Sequence, residues 1–168
     1  MISSACGLAS STKRVIVQRF DRENLSGFVQ TDTWLTGGEL ELLAPEGTLI
    51  RVPLAQIKKI FFVREFDEAL PERNRFLARP KIKGLWVRLS FRDGDELEGV
   101  LPNNLLLLDS AGFPVIPPDY AYATQRVFIP RTAVTEVQVL GVIGSPKKPD
   151  ARRRTPALGE KRQIALFE

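Results

Sequence analysis

Val87-Arg88-Leu89-Ser90-Phe91-Arg92-Asp93, followed by Leu97-Glu98-Gly99-Val100-Leu101, has a counterpart 72 residues earlier in the chain. The counterpart is Val15-Ile16-Val17-Gln18-Arg19-Phe20-Asp21, followed by Leu25-Ser26-Gly27-Phe28-Val29. Asp93 aligns with Asp21, Leu97 with Leu25 and Gly99 with Gly27 without a gap. Self-similarity of this kind means one supersecondary unit built twice, so it sets the architecture before any single segment is read.

The correspondence returns downstream. Ile50-Arg51-Val52-Pro53, with Ile57 and Ile60 after it, matches Val127-Phe128-Ile129-Pro130, with Val134 and Val137 after it, at a spacing of 77. The second copy therefore holds five extra residues between the two blocks, and the turn-rich segment 117–124 is the natural place for an enlarged loop. Val15 and Val17, and again Val87, Leu89 and Phe91, alternate with neighbours at the period of two that marks strands, whereas helical periodicity is weak throughout. Asp93-Gly94 is a tight-turn dipeptide, and Gly27 and Gly99 are expected where a strand bends too closely for a side chain. Residues 39–43 and the run Leu105-Leu106-Leu107-Leu108 are predicted as the third strand of each copy.

The predicted fold is thus all-β. Two tandem small five-stranded barrels span residues 13–63 and 85–144, and a charged, proline-interrupted linker joins them over 64–84. Residues 1–12 and the basic tail 145–168 are expected to be disordered. Asp93-Gly94 with Leu97-Glu98-Gly99-Val100-Leu101 resembles the opening block of Sm-like and SH3-like barrels, and residues 13–144 together resemble bacterial proteins of unknown function. Sm-like proteins hold uridine-rich RNA with an aspartate and an asparagine in one loop and an arginine–glycine pair in another. By that resemblance Asn103 and Asn104 stand where the first loop lies, but Ile129-Pro130-Arg131-Thr132 replaces the second, and a polar turn between strands is the better account of the asparagines.

Composition narrows the chemistry. Histidine is absent, which removes the usual proton shuttle near neutral pH, and Cys6 is the only cysteine, so neither an intramolecular disulfide nor a cysteine-built zinc site can form within one chain. No enzyme mechanism is marked by any residue pair, and no cofactor or metal site is expected. No apolar run approaches the length of a membrane span, and residues 1–12 lack the basic leader and apolar core of a secretory signal, so a cytoplasmic protein is expected. Arg75 and Arg79 have the spacing of the arginine pair in PilZ-type cyclic dinucleotide receptors, but the motif that should follow is missing. Trp34 and Trp86 read as core or linker packing, whereas Tyr120 and Tyr122 in the enlarged loop read as an exposed contact.

The net charge of +4 is unevenly placed. Residues 145–168 hold seven basic side chains (Lys147, Lys148, Arg152, Arg153, Arg154, Lys161 and Arg162) against three acidic ones, so the rest of the chain is neutral. Such a run suits contact with nucleic-acid phosphates. Apolar residues then return in Gln163-Ile164-Ala165-Leu166-Phe167. This pentapeptide resembles the one with which bacterial polymerases and repair proteins dock on the DNA sliding clamp. By that resemblance Gln163 occupies a polar notch, Ile164 supplies the aliphatic position, and Leu166 and Phe167 enter an apolar pocket. Burial of those last two yields roughly 3–6 kcal/mol before ordering costs, a weak contact that proximity to DNA would strengthen. The sequence therefore predicts a non-enzymatic adaptor recruited to the clamp, with an RNA-binding regulator of Sm-like type as the alternative.

Overall fold

The computed structural model describes residues 12–104, 106, 108–118 and 126–144. Among these the chain is all-β: eleven strands, no α-helix, and two short 3-10 turns. The first copy contributes β1 (Thr12–Arg19), β2 (Asn24–Gln30), β3 (Leu35–Thr36), β4 (Glu39–Leu43), β5 (Leu49–Pro53) and β6 (Ile57–Val63). The second contributes β7 (Gly84–Phe91), β8 (Glu96–Leu101), β9 (Gly112–Val115), β10 (Arg126–Pro130) and β11 (Val134–Ile143).

The repeat holds at the level of register. Val15 faces Gly27 across β1 and β2, as Val87 faces Gly99 across β7 and β8. Phe28 faces Leu43, as Val100 faces Ile116. Val17 faces Ile60 and Arg19 faces Ile57, as Leu89 faces Val137 and Phe91 faces Val134, with a bulge at the same place in each ladder. Both copies then insert a 3-10 turn capped by proline, Leu54–Gln56 after Pro53 and Arg131–Ala133 after Pro130. The expected glycines are confirmed: a Cβ on Gly27 would lie 2.6 Å from the Leu43 carbonyl oxygen, and one on Gly99 would overlap Val115 Cγ1.

One expectation needs correction. The third strand of the second copy is β9, not the leucine run. Leu106 lies in a turn and is 93% exposed, and Leu105 and Leu107 fall outside the described residues. Four consecutive leucines have no period of two, and Leu106 and Leu108 lie in no strand; Gly112-Phe113-Pro114-Val115 pairs with β10 instead. The extra residues therefore divide, one before β9 and four between β9 and β10. The linker segment over 64–84 is hydrogen-bonded to the sheet. The Asn74 carbonyl accepts the Glu98 amide at 2.7 Å, Arg75 pairs with Glu96 at 2.7 Å, and Arg79 donates to the Val142 carbonyl at 3.1 Å, which occupies both arginines of the PilZ-like spacing.

Hydrogen bonding forms two open sheets rather than one per copy. Eight strands join in one sheet, running β3-β4-β2-β1-β6-β10-β9 with β5 also on β4; the other sheet is β11-β7-β8. The link is β6 to β10, where Phe62 faces Arg126, Phe61 faces Val127 and Ile60 faces Phe128. Strands β1, β6 and β10 consequently serve two cores. Val15, Val17, Ile57, Ile60 and Phe128 enter the first, with Val29, Leu40, Leu42 and Val52. Ile16, Phe61, Val63, Val127 and Ile129 enter the second, with Val87, Leu89, Phe91 and Val115.

Candidate functional site

The seam between the copies carries the polar and aromatic features of the body. On one side of it, Lys58 projects from β6 with its side chain mostly buried and pairs with Asp93 at 2.5 Å and with Asp95. These two carboxylates belong to the β7–β8 turn, whose own geometry the Asp93 side chain fixes by accepting the Asp95 amide at 3.2 Å. The Lys58 nitrogen also lies 5.8 Å from the centre of the Phe20 ring and 5.2 Å from that of Phe91. Burial opposes the charged Lys58, but the hydrogen bonds and charges of Asp93 and Asp95 outweigh it and raise its pKa above the ordinary lysine value. Burial also opposes ionised Asp93, and the Lys58 bond outweighs it in turn, leaving that carboxyl below its usual range.

Lys59, next along β6, makes no bond to these carboxylates, and burial, helped by the charge of Lys58, outweighs the attraction of Asp95 and Asp93 and lowers its pKa to about 8. Both lysines border a cleft of about 770 Å³ lined by Arg19, Arg22, Glu72 and Asn74. Arg19 is committed to Asp21 and Glu23, each at 3.1 Å, so the cleft mixes signs and presents no concentrated charge.

The other side is apolar and basic. Trp34 stands edge-on to Phe62 at 5.4 Å and to Phe128 at 5.0 Å between ring centres, bringing a loop of the first copy over the β6–β10 joint. These rings floor a groove of about 400 Å³. Through Pro114, Arg126 and Phe128 it continues into a second groove of about 360 Å³ against β8 and β9. Lys13, Arg14, Lys83 and Arg126 line the rims, and Asp109 is the acidic side chain there. Arg14 is engaged by the Arg64 carbonyl at 2.7 Å and by Glu65 at 3.7 Å. Lys13, Lys83 and Arg126 are exposed, with no ion-pair partner among the described residues. An aromatic floor with cationic rims can stack a planar base or ring and hold an anion beside it.

Asn103 and Asn104 are exposed in the turn after β8, and Asn104 Oδ1 accepts the Leu106 amide at 3.0 Å, which gives that side chain a turn-closing task. Tyr120 and Tyr122 lie outside the described residues, as do Lys147, Lys148, Arg152, Arg153, Arg154, Lys161, Arg162, Gln163, Ile164, Leu166 and Phe167. Sequence reasoning missed Trp34, Arg126 and Lys58 as seam residues, since none of them is adjacent in the chain to what it meets. Among the described residues no cluster of three metal-ligating side chains occurs, and no helix is long and apolar enough to cross a membrane.

No curated protein and no solved structure matches this chain. A family model does match over residues 11–141, a span that takes in both copies and the segment between them, and the chain therefore belongs to the family of unknown function DUF6982.

Proposed function

We propose that this chain is a non-enzymatic adaptor whose C-terminal pentapeptide docks on the DNA sliding clamp while its β body holds a second macromolecule. The observation that carries the proposal is the sequence Gln163-Ile164-Ala165-Leu166-Phe167, with the basic run at 152–154 close before it. The described body is compatible with this: its last residue, Gly144, is exposed. In this reading Leu166 and Phe167 fill the clamp pocket and the arginines contact the DNA that the ring encloses, a role that belongs in the cytoplasm. A peptide of residues 160–168 is expected to displace a labelled clamp ligand, and the Leu166→Ala/Phe167→Ala peptide is not. Equal displacement by the two, or none by either, rejects the proposal.

The body is read here as two SH3-like or Sm-like barrels fused along one joint. Support comes from the shared strand order, β6-β1-β2-β4-β5 and β11-β7-β8-β9-β10, and from the 3-10 turn before each last strand. The aromatic, basic-rimmed groove favours one further reading, single-stranded nucleic acid as the body's ligand. Arg126→Glu in the full chain is then expected to weaken RNA or single-stranded DNA binding about tenfold, measured by fluorescence anisotropy. Unchanged affinity would restrict nucleic-acid contact to the tail.

A further inference from the structure

The β6–β10 joint inside the chain leaves its own equivalents unused at the two ends of the molecule. β6 is the last strand of the first copy and β10 the fourth of the second. Their repeat counterparts are β11, at the end of the three-stranded sheet, and β5, which pairs only with β4. Among the described residues, then, the outer edges of β11 and β5 face no strand, although the same two edges are sealed together where the copies meet.

Side chains on these strands follow the same logic. On β6 the residues Ile60 and Phe61 are buried, one in each core. Their counterparts on β11 are Val137 and Gln138; Val137 is 39% exposed, Val139 57% and Val142 56%, and residues 135–139 are exposed without interruption. On β5, Leu49 is 57% exposed. A ten-residue edge strand that presents valines to water is a standing template for pairing.

We infer that a second copy of this chain covers these edges, β11 of one molecule pairing antiparallel with β5 of the next in the register of the internal joint. Transferring Phe62–Arg126, Phe61–Val127 and Ile60–Phe128 through the repeat sets Val139 opposite Leu49, Gln138 opposite Ile50 and Val137 opposite Arg51. The most exposed apolar residue of β5 thereby meets one of the most exposed of β11, as cross-strand stabilisation requires. The joint is heterologous, since each molecule contributes a different edge at each end. Such contacts propagate into a ring if the rotation closes and into an open filament if it does not.

The test is sedimentation equilibrium on the full chain over a wide concentration range, with Leu49→Lys and Val139→Lys, both at exposed positions that the fold does not need. The wild type is expected to exceed the monomer mass of 18.8 kDa and to grow with concentration or reach a fixed multiple. Each variant alone should remain monomeric. An equal mixture of the two should form a dimer, because the first keeps an intact β11 edge and the second an intact β5 edge. A wild type monomeric at every concentration overturns the inference. So does a Leu49→Lys variant that still dimerises alone, which would mean a symmetric β11–β11 contact, and so does a mixture that stays monomeric.

Discussion

Arg22 has a φ of +69°, the left-handed region that side chains other than glycine enter at a cost, and its repeat counterpart at the β7–β8 turn is Gly94, with φ +90°. Both turns use the same bonds: the Arg22 amide donates to the Arg19 carbonyl and the Gly94 amide to that of Phe91. The second copy thus shows what the first lacks. Arg22→Gly is expected to raise stability by about 0.5–1 kcal/mol, read from the midpoint of urea unfolding. Lys59 offers a sharper test because its effect depends on pH. The unfolded chain holds the Lys59 proton to about 10.5 and the folded chain releases it near 8. The unfolded state therefore binds more protons between those values, and this group makes stability rise with pH across that window. Lys58, with its pKa raised, and Asp93, with its pKa lowered, contribute stability that is intact there. The first loses it only as pH climbs past the ordinary lysine value and the second only as pH falls below the ordinary carboxylate value. Lys59→Met should raise stability at pH 7 by about 1–2 kcal/mol and flatten the slope between pH 8 and 10.5. An unchanged slope would show that Lys59 is solvated in the folded state.

At the scale of elements, the strands that alternate were legible and those serving two cores were not. The β1–β2 and β7–β8 hairpins follow directly from the aligned Asp, Leu and Gly positions, and their registers agree at every shared pair. Val15-Ile16-Val17, Ile60-Phe61-Phe62-Val63 and Val127-Phe128-Ile129 are instead unbroken apolar runs, the signature of a strand buried on both faces. Those three runs are β1, β6 and β10, the strands that serve both cores, so the signal for a shared sheet lies in the sequence but shows only when the two copies are taken together. The leucine run at 105–108 misled for the opposite reason, since apolar content without alternation does not by itself mark a strand. The seam residues could not be read at all. Lys58 meets Asp93 across 35 positions, and Trp34 meets Phe128 only after β6 and β10 pair.

For the molecule as a whole, a sheet shared by both cores means that neither copy has a complete interior of its own. Removing the second copy would strip the cover from Ile16, Phe61 and Val63; removing the first would leave Val127 and Ile129 on a strand without its β6 partner. Unfolding should accordingly be one event, although the chain is a duplication. Its two tryptophans make this measurable: Trp34 packs against the first core, whereas Trp86 sits on β7 beside Phe76, with ring centres 6.4 Å apart. In the Trp86→Phe variant the remaining Trp34 reports on the first core and on the joint it covers through Phe128, and in the Trp34→Phe variant the remaining Trp86 reports on the second copy. Leu42→Ala acts on the first core and Leu89→Ala on the second, each costing about 2–5 kcal/mol at fully buried positions. If the shared strands couple the copies, either truncation lowers the denaturation midpoint seen by both indoles equally. A Leu42→Ala protein in which the Trp34 signal melts before that of Trp86 would show instead that the joint between β6 and β10 is too weak to bind the halves into one cooperative unit.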